Sequence, residues 1–220
     1  MGDVDELERG REAYGRRAWL DAYEALTRAD QMTALAADDL ELLATSAYML
    51  NRDDDFASAL ERAHHRYLDA GDAARAVRCA FWVGVSFATR GEMGGASGWF
   101  GRGQRLLERE ERDCVERGYL LIPVVLAHVA AGDPEAACAA AADAAGIGER
   151  FGDADLVALA MHEQGHALVR QGRVEAGMRL LDETMVAVVA GELSPIVTGA
   201  RVTGSLQVGR VAPTRNQGVP

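Results

Sequence analysis

Ala80-Phe81-Trp82-Val83-Gly84-Val85-Ser86-Phe87-Ala88-Thr89-Arg90-Gly91 is the stretch on which the reading of this chain turns. Ala80, Val83, Gly84 and Phe87 are small or apolar and follow one another at steps of three, one and three residues, which is one face of an α-helix. Gly91 then supplies a residue at ease in the left-handed conformation that ends helices, and small Ala96 follows five positions later. The stretch is therefore a helix, a tight turn and the opening of a second helix.

The same arrangement returns along the chain. Gly132 in Ala130-Ala131-Gly132-Asp133 lies 41 residues after Gly91, and Gly172 in Arg170-Gln171-Gly172-Arg173 lies 40 after that. Asn51, forty residues before Gly91, fills the same role because Asn tolerates the left-handed region. Gly15-Arg16-Arg17 is a looser fifth instance. Before Gly172 the face reads Met161, Gln164, Gly165 and Leu168, and after the turns stand the small residues Ala59, Ala137 and Gly177. Repeats of this length signal stacked supersecondary units. The spacing predicts ten helices, at 3–15, 18–30, 38–50, 54–70, 72–90, 93–110, 113–131, 134–149, 153–171 and 173–190. Pro123 falls inside the seventh, where it either kinks the rod or marks a later start.

A small residue, a Gly four positions on, a turn seven later and a further small residue five after that resembles the tetratricopeptide repeat (TPR), whose opening is Trp-x2-Leu-Gly-x2-Tyr. Ala80-x2-Val83-Gly84-x2-Phe87 matches it best. The usual period of 34 residues is stretched here to about 40. Long-period repeats in an Ala/Arg-rich background, including Asp72–Trp82 and Gly148–Leu156, are similar to the helical arrays of LuxR-type (MalT-like) actinobacterial transcription regulators. The resemblance implies an all-α, right-handed α-α superhelix of about five hairpins over residues 1–193. It also implies a sensor array that binds a partner while a separate helix-turn-helix reads DNA. No such helix-turn-helix follows. Residues 194–220 read as an aborted sixth repeat and an irregular, disordered tail, as in an array truncated or shifted in frame.

Composition narrows the function. The 220 residues carry a net charge of −11 and no lysine, so a P-loop lysine and a lysine Schiff base are excluded. The charge is local: residues 1–199 hold −14, and the last 21 hold three Arg and no acid. An acidic array argues against a nucleic-acid partner, whose affinity rests on neutralising phosphates. The longest apolar run, Tyr119–Ala131, is too short for a membrane span, and Met1–Glu6 lacks the features of a signal peptide. The three cysteines, 79, 114 and 138, read as reduced core residues, so the expected location is cytoplasmic.

His162-Glu163-Gln164-Gly165-His166 fits H-E-x-x-H, which on a helix sets two histidines on one face for Zn²⁺ with a Glu as general base. A third ligand has no motif behind it; Glu183 and Glu192 are the only downstream acids. Gly165 is already accounted for as the packing glycine of the repeat. A zinc-dependent hydrolase is thus the lesser reading, and no cofactor is called for.

By the register of the resemblance, Tyr48, Phe81, Val85, Ile122, Leu126, His162 and His166 line the concave groove. Phe81 and Ile122 equally suit packing between adjacent units. Trp82 and Trp99 are expected to anchor the third unit, and Trp19 the first. His64-His65 and Arg105–Asp113 read as solvated helix faces. Helix 173–190 carries too many apolar residues to bury on one side, so this uncapped end is expected to fray or to associate with another chain. The function expected is a non-catalytic scaffold for a protein or peptide partner, with a small-molecule effector also open. A free-standing TPR adaptor is the alternative.

Overall fold

The computed structural model describes residues 2–109 and 113–202. Its elements are all helical: α1 Gly2–Gly15, α2 Trp19–Met32, α3 Ala37–Met49, α4 Asp53–Asp69, α5 Ala73–Thr89, α6 Met93–Arg109, α7 Glu116–Tyr119, α8 Leu121–Ala131, α9 Pro134–Phe151, α10 Ala154–Arg170, α11 Val174–Ala190 and α12 Pro195–Val202. Five hairpins stack as a TPR-like right-handed superhelix: α1–α2, α3–α4, α5–α6, α7/α8–α9 and α10–α11.

The turns are built from the residues that the spacing singles out. Asn51 has φ 56°, and Gly91, Gly132 and Gly172 have φ 79°, 76° and 80°. An L side chain is strained in this conformation, so Gly and Asn are favoured there. The first turn instead places positive φ on Arg17, at 57°. Three helices then start on an Asp: the side chains of Asp72, Asp133 and Asp153 accept from the backbone N–H of Arg75, Ala136 and Leu156. Each satisfies one of the donors that a helix N-terminus leaves open.

The helix expected over 113–131 is broken. Its two parts meet at Leu120, and Pro123 is the third residue of α8. The first four N–H groups of a helix have no intrahelical acceptor, so proline fits there without losing a bond.

Leu26, Leu40, Phe81, Val83, Tyr119, Ile122, Leu156 and Leu159 are fully buried along one continuous core. Trp82 is buried and Trp99 packs partly against that core, whereas Trp19 is half-exposed and meets Tyr14 edge-on. His64 does not lie on a solvated face. It has no exposed surface, its Nδ1 lies 2.7 Å from the Ala76 carbonyl, and its ring meets Trp99 edge-on, while His65 is exposed. Burial holds the His64 pKa below its ordinary 6.5, and Arg102 and His65 add to the depression.

At the far end, the outer side of α11 stays uncovered, with Val174, Met178, Met185, Val186 and Val189 all exposed, Val189 to 83%. Where the sequence begins its aborted sixth repeat, α12 forms a helix that turns back onto α3. The rest of the expected disordered tail, 203–220, lies outside the described residues.

Candidate functional site

Two surfaces stand out, both produced by how neighbouring hairpins meet. The first is an apolar cleft of about 1020 Å³ between α6 and α8. Met93, Phe100 and Gln104 form one wall; Leu120, Pro123, Val124 and Leu126 form the other, with Arg117 and His128 at its edges. The cleft opens beside the α7–α8 break at Leu120. Met93 and Val124 are 47% and 41% exposed. Arg117 donates to the Leu107 carbonyl, which fixes it against α6.

The second is the groove along the first helices of the hairpins. A polar ladder runs down it. Arg11 forks onto Asp39, with Nε 2.7 Å from Oδ1 and Nη2 2.9 Å from Oδ2. Arg75 pairs with Glu41 at 2.7 Å and with Asp38. Arg78 lies 2.9 Å from Glu116 and 3.2 Å from Asp153, with its guanidinium 4.8 Å from the centre of the Tyr119 ring. Tyr119 in turn donates to Asp153 at 3.0 Å. Burial works against the charge of Arg78, but Tyr119, Glu116 and Asp153 outweigh it and hold its pKa above the ordinary value. Cys79, buried beside Glu41, has its thiol pushed up by burial first and by that carboxylate second, the reverse of what a nucleophile requires.

α12 lies across this groove. Val197 is fully buried and Leu193 nearly so, both within the main core, and the Ser194 N–H donates to Asp155 Oδ1 at 2.8 Å. A cavity of about 170 Å³ remains under the helix, lined in part by Glu41, Thr45, Arg78, Trp82, Asp155 and Ile196.

The structure disperses the groove residues expected from sequence. Phe81 and Ile122 have no exposed surface and pack between units, so neither is open to a ligand. Val85 is buried, 8% exposed. Leu126 is half-buried and belongs to the α6–α8 cleft. Tyr48 is half-buried beneath α12, and burial pushes its hydroxyl up to about 12. His162 and His166 are half-buried on α10 with ring centres 4.5 Å apart and edge to face. Glu163 is buried, 6% exposed, while Glu183 and Glu192 line a separate cavity between α10 and α11 that neither histidine lines. Among the described residues, no three His, Cys, Asp or Glu side chains converge as a metal site, and no helix is long and apolar enough to cross a membrane.

Met93, Phe100 and Pro123 escape sequence reasoning as site residues, because each also reads as ordinary core or turn chemistry. The break that Pro123 permits was the available signal.

No family model matches the chain, and no curated protein matches it. Solved structures do. A putative kinesin light chain of nearly identical TPR-like repeats from Podosopora anserina, in a singly substituted form, is 13% identical with a TM-score of 0.53, over 87% of this chain and 96% of that one. The same protein without that substitution is 12% identical with a TM-score of 0.51, over 88% and 99%. At such identity the likeness is one of fold: this chain is a TPR-like helical repeat.

Proposed function

We propose that the chain is a non-catalytic TPR-like scaffold that takes a protein or peptide partner by an apolar segment in the α6–α8 cleft. The observation that carries this reading is the cleft itself: about 1020 Å³, walled by Met93, Phe100, Leu120, Val124 and Leu126. A solenoid binds through surfaces that its stacking leaves open, and side chains of this kind favour an apolar anchor over a charged one. A small apolar effector would meet the same walls. Val85, Tyr48, His162 and His166 remain candidates for contacts along the inner helices. The relation to LuxR-type sensor arrays is supported by the Asp72–Trp82 and Gly148–Leu156 patterns, and the uncovered side of α11 supports self-association.

Displayed peptides selected on the chain test the proposal against a Met93→Glu/Val124→Glu variant. Both positions are exposed, so the fold tolerates the change. The selected pool should lose at least tenfold in affinity, about 1.4 kcal/mol. Undiminished binding overturns the reading.

A further inference from the structure

The C-terminal helix neither caps the array nor runs free. It follows the short turn after α11 and reaches back to the second hairpin. A Cβ built on Gly199 would lie 2.8 Å from Tyr48 Cε1, so α12 packs directly on that ring and a larger residue there must displace it. Val197 is fully buried, and the Ser194 N–H is held by Asp155 of α10. Ser194 and α12 together thus bridge α3 and α10, three hairpins apart in sequence.

Charge follows the same division. The wall under α12 presents the carboxylates of Glu41, which Arg75 pairs, and Asp155, together with the Arg78 guanidinium. The sequence from Leu193 to the end holds no acid and three Arg, against −14 for residues 1–199. A segment without acid brings no like charge against Asp155 or Glu41. The link is a few residues long, which gives the helix an effective concentration in the millimolar range and lets weak contacts keep it seated.

We propose that the groove over α3, α5 and α10 is a site for a short acid-free helix, and that α12 is its resident occupant in cis. A partner for this groove carries a β-branched residue in the place of Val197, glycine in the place of Gly199 and an open backbone N–H for Asp155. It binds by displacing α12. This deepens the scaffold reading, on which it rests, by naming a second surface and the pattern that fits it.

The test uses the full chain and a fluorescent peptide of residues 193–206 of this sequence, read by anisotropy. In the wild-type chain, cis α12 competes and the peptide binds weakly. Val197→Asp ejects α12, and peptide affinity rises by about tenfold or more. Gly199→Leu, which acts by collision with Tyr48 and buries no charge, produces the same rise with the far-ultraviolet circular dichroism of the array kept. Adding Asp155→Ala to either variant cuts peptide affinity by about tenfold, through loss of a hydrogen bond to a charged acceptor. Equal binding by wild-type and both variants overturns the proposal, and so does binding indifferent to Asp155. The probe is the chain's own segment, so the outcome stands apart from any result in the α6–α8 cleft. Failure there with exchange here removes the cleft alone.

Discussion

Replacing one glycine by alanine should destabilise this chain at Gly177 and stabilise it at Gly98. Gly177 faces Gly165 where α10 and α11 cross. A Cβ at 177 would lie 2.6 Å from the Gly165 carbonyl oxygen and 2.7 Å from Val169 Cγ2. The first obstacle is backbone and cannot rotate away, so α11 must retreat by several tenths of an ångström along its length. Overpacking of this kind costs about 1–3 kcal/mol, and a rigid obstacle belongs at the upper end. Alanine recovers about 1 kcal/mol of helix propensity, leaving a net loss of about 1–2 kcal/mol. Gly98, mid-helix in α6, is exposed and has no atom within 4 Å of a built Cβ. Here propensity acts alone, and the gain is up to about 1 kcal/mol. In thermal melts the first variant should fall by roughly 4 °C and the second rise by roughly 2 °C, at about 2–4 °C per kcal/mol for a chain of this size. A Gly177→Ala chain as stable as wild type would refute the close crossing of α10 and α11, and with it the packing of the fifth hairpin.

Three further outcomes follow from single side chains. His64 is buried with its pKa lowered, so the fold binds its neutral form. Stability is full above 6.5 and falls as pH drops below that, by up to about 1.4 kcal/mol per pH unit until the lowered pKa is passed; urea titrations from pH 7 to 5 should show the slope, and His64→Gln should flatten it. Arg78→Met leaves the buried Glu116 and the Asp153 carboxylate without their cation. With Arg78 itself partly exposed, the cost should be about 2 kcal/mol in urea denaturation, and a neutral result would show that the ladder is ornamental. The uncovered Val186 and Val189 of α11 should make the chain associate as concentration rises, with Val186→Arg/Val189→Arg monomeric by light scattering; a wild-type chain that stays monomeric throughout removes that surface.

Local chemistry was legible and long-range geometry was not. Asn51 could be placed beside three glycines because the left-handed region admits few residues, and its φ of 56° is a backbone property that sequence expresses directly. The packing glycines were legible for a different reason: their place on the apolar helix face, seven residues before a turn, marks a close crossing. His64 was not: its neighbour His65 is exposed, and one step of a helix separates solvent from core only when the partner helix is known. Phe81 and Ile122 show the converse. Their apolar type suits a groove and an interface equally, and only the stacked neighbour decides between them. The α6–α8 cleft depends on how α8 lies against α6, which Pro123 allows but does not dictate. The docking of α12 depends on the curvature summed over three hairpins, a quantity that no window of sequence contains.

The stretched period has a physical reading that joins fold to groove. α5, α6, α10 and α11 are each 17 residues long and α9 is 18, whereas α1 and α2 are 14 and α3 is 13. The surplus is therefore about one helical turn per helix, close to the 3.6 residues that return a side chain to the same face. A whole turn can be inserted without rotating the apolar stripe away from its neighbour, whereas half a turn would carry Gly84 or Gly165 out of its crossing. That is why the repeat lengthens to about 40 while the seven-residue spacing from packing glycine to turn glycine is kept. The added turn makes the inner helices α5 and α10 roughly 5 Å longer and about 26 Å in all. A groove of that depth has room for α12, whose eight residues span about 12 Å, and leaves length beyond it along α5 and α10. An incoming helix could engage that remaining length before α12 departs, so displacement would not require the occupant to leave first.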